Sequence, residues 1–159
     1  MRKASILVVD DNKITTKLLR RYLEANGYEA REAFDGIDCL EKVEEKQPDA
    51  IVLDVMMPRM DGYETVKKLK EQDHTKHIPV VIVTALNDVP NQLKSIDSGA
   101  DDFLSKPIEE KLLIAKVKLL STLNIHALNS EYYMNLITDI AAGNISSSEA
   151  KQKADDYSK

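Results

Sequence analysis

The sequence predicts an α/β fold in which a five-stranded parallel sheet is covered by helices on both faces and followed by a helical extension. Three observations predict it. Short apolar runs recur without the polar alternation of a half-exposed strand, which suits strands buried on both faces. Between them lie stretches with apolar residues three and four apart, the spacing of a helix with one inward face. Strand and helix alternate along the chain, and such alternation builds a parallel sheet through right-handed crossovers.

The first strand covers 5–9, Ser-Ile-Leu-Val-Val. A helix over 12–25 follows, with Ile14, Leu18, Leu19, Tyr22 and Leu23 on its apolar side and Asn26-Gly27 as its stop. Residues 28–33 form the second strand. The second helix covers 36–46, with Leu40 and Val43 inward, and Pro48 lies beyond its end. The third strand, 50–53, runs straight into Asp54. A third helix over 63–71 places Val66 and Leu69 on one side. Residues 78–83 are the most β-branched run, hence a central strand, with Pro79 near its start. The fourth helix covers 90–98, with Pro90 in its first turn and Gly99 past its end. A short fifth strand over 102–105 precedes a fifth helix that opens at 108.

That fifth helix does not stop where a compact domain would need it to. Leu112, Leu113, Val117, Leu119, Leu120 and Leu123 continue through Ile125 and Leu128. Asn129-Ser130 is expected to interrupt it, and 131–142 to form a further amphipathic segment with Tyr133, Leu136, Ile137 and Ile140. Residues 146–159 are polar, a weak helix or a disordered tail. The expected division is one domain over 1–123 and a helical extension over 124–159 without a recognisable output domain.

Composition narrows the class. The chain has 159 residues and 43% hydrophobic content, enough for a core without metals or disulfides. Twenty-two Lys and Arg against 27 Asp and Glu give a net charge of −5, which argues against binding nucleic acid through a general basic surface. A single cysteine, Cys39, cannot close an internal disulfide and reads as a small buried apolar residue. The apolar run after Met1 ends at paired acids, too short for a signal peptide, and no stretch reaches transmembrane length. A soluble cytoplasmic protein is expected, with no membrane partner.

The chemistry gathers at the strand ends. In an open parallel sheet, ligands sit beyond the carboxyl ends of the strands. There the first strand presents Asp10 and Asp11, the third Asp54, the fourth Thr84 and the fifth Lys106. Carboxylates that close repel by roughly 4 kcal/mol per pair at about 4 Å and an effective dielectric near 20. Lys106 offsets part of that, and a divalent cation is the natural remainder. Ligands that are all oxygen favour Mg²⁺ over zinc. Cation, ammonium and hydroxyl together suit a phosphoryl group, whose transfer depends mostly on placement and charge stabilisation. A carboxylate can itself be the nucleophile, so Asp54, at a rigid strand tip, is expected to be the acceptor.

With those residues in view, the sequence resembles the receiver domain of bacterial response regulators. The matching stretches are ILVVDDN at 6–12, IVLDVMMPRMDGYE at 51–64, VVIVTAL at 80–86 and GADDFLSKPI at 99–108. The resemblance implies a flavodoxin-like, CheY-like fold with strand order 2-1-3-4-5. It implies Asp54 as phosphoacceptor, and Asp10 and Asp11 as the acidic pair that organises Mg²⁺, with Asp11 the direct ligand. The backbone carbonyl of Met56 would be a further metal ligand. Thr84 matches the phosphate-sensing hydroxyl, Lys106 the phosphate-pairing lysine, and Phe103 the aromatic switch position, where many receivers carry tyrosine. A Lys106–Pro107 bond in cis is also implied. The phosphoryl donor would be a sensor histidine kinase or a phosphotransfer protein, and the response a change on the surface of the fourth helix, fifth strand and fifth helix. Such a protein would catalyse only its own phosphorylation and dephosphorylation. Met56 and Leu86, two residues after Asp54 and Thr84, are placed to shield the acyl phosphate from water.

An alternative function is a Mg²⁺-dependent phosphohydrolase acting through an aspartyl phosphate. Such an enzyme commonly has an acidic residue two positions after the nucleophile, where this chain has Met56. No GxxxxGK or GxGxxG stretch offers a nucleotide cradle. His74 and His77 lack the third and fourth ligands of a zinc site, and Asp101-Asp102 reads as a solvated turn. The extended fifth helix resembles the signalling helices that lead from receivers into output modules. The apolar stripe Tyr133, Leu136, Ile137 and Ile140 would pack on the domain or on a second copy, making a homodimer an open expectation.

Overall fold

The structure, a computed structural model, describes residues 3–85, 93–94 and 97–157. Its elements are β1 (Ser5–Val9), α1 (Lys13–Ala25), β2 (Glu29–Ala33), α2 (Gly36–Glu45), β3 (Ala50–Asp54), α3 (Gly62–Glu71), β4 (Val80–Thr84), β5 (Asp102–Ser105), α4 (Glu110–Ala141) and α5 (Ser147–Tyr157). The five strands form one parallel sheet in the order β2-β1-β3-β4-β5, as expected. The helix expected over 90–98 falls largely outside the described residues, as does Leu86. The helix expected fifth is therefore α4.

Strand alternation sorts the core into two layers. Ile6, Val8, Val52, Val81 and Val83 point to one face and pack with Leu19 and Leu23 of α1 and Leu113 and Val117 of α4. Leu7, Val9, Ile51, Leu53 and Ile82 point to the other and pack with Cys39 and Val43 of α2 and Val66 and Leu69 of α3. Because both faces are covered, the central strands are apolar except for one end residue each, Ser5 in β1, Asp54 in β3 and Thr84 in β4, which is why they read as continuous runs. Cys39 lies fully inside, as expected.

Local chemistry sets the helix starts. The Asn12 carboxamide oxygen accepts from the Ile14 and Thr15 amides, and the Asp35 and Asp61 carboxylates accept from the Asp38 and Glu64 amides. Each satisfies an amide that the first helical turn leaves without a partner. Asn12 is thus the cap and not the first helical residue.

Two compact units divide the chain, Lys3–Asn124 and Ile125–Lys159. The interruption expected at Asn129-Ser130 is absent, and α4 runs unbroken through both residues. Asparagine and serine only weakly disfavour helix interiors, too little to break a helix of 32 residues. Gly143, at φ 76°, ends it. The polar tail is helical over Ser147–Tyr157, opened by a reciprocal cap in which the Glu149 amide donates to Ser146 Oγ and the Ser146 amide to Glu149 Oε2. Within this unit the Tyr132 hydroxyl donates to the Lys153 carbonyl at 3.1 Å.

Candidate functional site

β1, β3, β4 and β5 end side by side, and residues at or just past their ends carry the site. Asp54 is the final residue of β3, in register with Val83, so Thr84 stands one step further along the neighbouring strand. Thr84 pairs with Ser105, and its carbonyl accepts the Lys106 amide at 2.9 Å. The sheet's register therefore brings together residues that the sequence separates by tens of positions.

Lys106 is the hub. Its Nζ lies 3.0 Å from Asp54 Oδ1 and 3.6 Å from Asp10 Oδ2. Lys106–Pro107 is a cis peptide, the isomer the resemblance implies. Asp10 and Asp54 are buried, whereas Asp11 is exposed. Asp10 Oδ1 accepts from the Asn12 amide at 2.9 Å, which restrains that carboxylate.

Burial dominates the electrostatics of both buried acids. It pushes the Asp54 carboxyl above the usual carboxylate range, against the lowering pull of Lys106 and the Val55 amide, and Asp11 adds to the rise. Burial also raises Asp10, opposed by the Asn12 amide and assisted by Asp54. For Lys106, burial favours the neutral amine, but Asp54 and Asp10 outweigh it and hold the ammonium above its usual range. One ammonium thus incompletely compensates three carboxyl groups.

Those groups fit a hard divalent cation. Asp10, Asp11 and Asp54 each offer an oxygen, and these atoms lie within 4.8 Å of one another. Oxygen-only donors, with Asp11 open to solvent, suit an ion such as Mg²⁺ that retains several waters. Asp10, Asp11 and Asp54 are the residues that could hold it.

Met56 is 79% exposed and shares a groove beside the site with Asp11, Met57, Asp61, Tyr63 and Lys94. Lys94 Nζ stands 4.7 Å from the Tyr63 ring centroid. Phe103 is half-buried on β5 with Lys116 Nζ 5.9 Å from its ring centroid, and Lys116 also reaches Asp102 Oδ2 at 2.7 Å.

Several contributors escaped the sequence reading. Gly62 has no room for a side chain, since a Cβ there would meet the Asp54 carbonyl oxygen at 2.3 Å. Its signal was the Asp-Gly pair after the apolar strand. Arg59 pairs with Asp35, 2.7 Å from Nη2 to Oδ2, across the loop after Asp54, with no local signal in the sequence. Asp101 is an exposed turn residue, as expected, but it also makes a tertiary contact: its Oδ2 accepts from the Val80 amide at 2.7 Å and from Lys70 Nζ at 3.0 Å, tying β4 to α3. A carboxylate facing a strand's first amide is a tertiary contact, invisible to local pattern. His74 pairs with Glu44 at 2.6 Å in an exposed position. Among the described residues, the three aspartates form the group of acids and histidines placed to share a metal.

Comparison with known proteins identifies the family. The family model for the response regulator receiver domain matches residues 6–118. The chain is 46% identical over 118 residues to response regulator PleD of Caulobacter vibrioides, covering 74% of this chain and 26% of that protein. It is 42% identical over 115 residues to response regulator MprA of Mycobacterium ulcerans, covering 72% of this chain and 49% of that protein. The chain thus spans between a quarter and a half of the length of these curated relatives. The chemotaxis response regulator CheY4 of Vibrio cholerae superposes with a TM-score of 0.71 at 29% identity, over 75% of this chain and 99% of that one. A sheet of this order, the acid-lysine cluster at its carboxyl edge and these matches have one reading: the chain belongs to the response regulator receiver domain family.

Proposed function

We propose that this chain is a phosphorylation-driven switch whose acceptor is the Asp54 carboxylate. The observation that carries the reading is Lys106 Nζ, held between Asp54 and Asp10 at 3.0 and 3.6 Å, with Asp11 alongside. Asp54 Oδ attacks the phosphorus of a phosphohistidine, supplied by a sensor histidine kinase or a phosphotransfer protein, and the imidazole leaves. Lys106 stabilises negative charge on the transferring group, and Thr84 donates to a phosphoryl oxygen once it arrives. Mg²⁺, held by Asp11, Asp54 and the Met56 carbonyl with Asp10 behind, would neutralise phosphoryl charge. Phe103 is the switch aromatic on β5, and the response is a change on the surface it shares with α4. The site serves self-phosphorylation and its reversal and no turnover of an external substrate.

Two wider readings accompany this one. Leu112, Leu119 and Leu123 are 45%, 60% and 56% exposed at spacings of seven and four along α4. That stripe supports self-association through α4, with Ile125–Lys159 as a helical extension of the receiver. Light scattering with and without beryllofluoride tests it. No helix among the described residues is long and apolar enough to cross a membrane, which accords with a cytoplasmic site of action.

The deciding experiment is incubation with acetyl phosphate and Mg²⁺, read by intact-mass spectrometry. Wild type gains one hydroxylamine-labile phosphoryl group, and Asp54→Asn gains none. Labelling that persists in Asp54→Asn, or its absence in wild type, overturns the proposal.

A further inference from the structure

The loop that leaves Asp54 is fastened at both ends. At its base the Gly62 amide donates to the Val55 carbonyl at 2.8 Å. At its far side Arg59 reaches back to the β2–α2 turn, with Nε 2.8 Å and Nη2 2.7 Å from Asp35 Oδ2. Met56, whose carbonyl the proposed function assigns to the metal, lies between the two fastenings. Arg59 carries a left-handed backbone, φ 65°, a conformation that glycine adopts more readily than a residue with a side chain. A residue kept in that conformation while both its guanidinium donors meet one carboxylate has a side-chain role, since glycine would make the turn without strain.

Asp35 is a prepared receptor for that guanidinium. It is buried, and its other oxygen accepts from the Asp38 amide at 2.8 Å as the cap of α2. Its carboxylate is thereby fixed to a helix end and cannot follow the loop. Backbone contact reinforces the seam, because a Cβ at Gly36 would come within 2.8 Å of the Met60 carbonyl oxygen. The loop is thus indexed to α2 as well as to β3.

We infer that Arg59 is a positioning residue for the cation site: through Asp35 it holds the loop that carries Met56 at the distance the metal requires. The inference rests on the proposed function, because it assumes that Mg²⁺ binds at Asp11, Asp54 and the Met56 carbonyl. Groups that orient a metal's ligands typically contribute ten- to a hundred-fold in affinity. A single surface-exposed ion pair acting on one of several ligands falls at the lower end of that range.

Isothermal titration of the full chain with Mg²⁺ alone, in the absence of any phosphodonor, tests this. Arg59→Ala is expected to weaken Mg²⁺ binding about tenfold. Arg59→Lys, which keeps the charge, recovers part of that loss. Arg59→Gly, which suits the left-handed turn but lacks the guanidinium, binds as weakly as Arg59→Ala. Asp35→Asn, which retains a cap oxygen for α2, weakens binding to a similar extent, and combining it with Arg59→Ala adds nothing further. Wild-type affinity in Arg59→Ala, or its restoration in Arg59→Gly, overturns the inference while leaving the proposed function intact. Absence of Mg²⁺ binding in wild type overturns both.

Discussion

Asn124 Nδ2 donates to the Asp49 carbonyl at 3.1 Å, joining α4 to the start of β3 across 75 residues. Asp49 in turn grips β1: its amide donates to the Ser5 carbonyl and its Oδ2 accepts the Ser5 amide, both at 2.7 Å. The edge of the sheet opposite the site is therefore stapled by one buried aspartate. Asp49→Ala removes the acceptor facing the buried Ser5 amide and should cost about 1–3 kcal/mol. Asp49→Asn keeps a carbonyl oxygen there and should cost less. Urea midpoints for both variants, compared at equal slope, check the order; equal losses would count against it.

Cys39 should be chemically silent in the native protein. Burial, with smaller contributions from Asp38 and Asp35, pushes its thiol up to about 12. At neutral pH almost no thiolate exists and no reagent reaches it. A disulfide reagent should label Cys39 only as fast as the protein opens, with the rate rising steeply near the urea midpoint. Prompt labelling without denaturant would contradict the packing of α2.

Much of this was legible in the chain because its signals were local. Continuous apolar runs announced strands covered on both faces, and Asn26-Gly27 and Pro48 marked helix ends. Asp10, Asp11, Asp54, Thr84 and Lys106 could be placed because each lies at or just past the end of a strand, and parallel strands bring their ends to one edge. What stayed hidden was contact across the fold. Asp101 and Arg59 look like solvated loop charges until the Val80 amide and the Asp35 carboxylate are seen facing them. Asn129-Ser130 misled for the converse reason: their local preference against helix is a fraction of a kcal/mol, about 0.5 each, and neighbouring turns override it.

Stability should rise as pH is lowered from neutrality when no divalent cation is present. Asp54 and Asp10 sit above the usual carboxylate range, chiefly through burial. The folded protein then holds protons that the unfolded chain has released, so lowering pH toward the ordinary value of about 4 favours folding. Lys106, raised by its partners, stays charged throughout and adds no slope. Asp35 works oppositely. Burial would raise it, but the Asp38 amide and Arg59 together lower it, so its stabilisation is present above the ordinary value and lost as pH falls through its lowered one. Thermal midpoints should climb from pH 7 toward about 4 and then fall. Asp54→Asn should flatten the climb. Mg²⁺ at a hundred times its Kd should stabilise the protein by about 2.7 kcal/mol at pH 7. A profile that falls monotonically from pH 7, or indifference to Mg²⁺, would refute the account of the acidic cluster.

Two glycines separate the needs of the site from those of the fold. Gly27 follows α1 at φ 87° with nothing within 4 Å of where a Cβ would stand. Gly27→Ala should cost about 1 kcal/mol through backbone conformation alone and leave phosphoryl labelling unchanged. At Gly62 the backbone is helical, but a Cβ would meet the Asp54 carbonyl oxygen at 2.3 Å and Val55 Cα at 2.9 Å. Neither is the end of a flexible side chain, so either α3 or the tip of β3 must shift. Overpacking of this kind costs about 1–3 kcal/mol. The displaced group is the backbone of the residue assigned as acceptor, so Gly62→Ala should also slow labelling of Asp54 under conditions where the variant is fully folded by circular dichroism. If Gly62→Ala and Gly27→Ala lose similar stability and label at the wild-type rate, the close approach of α3 to Asp54 has no bearing on the chemistry.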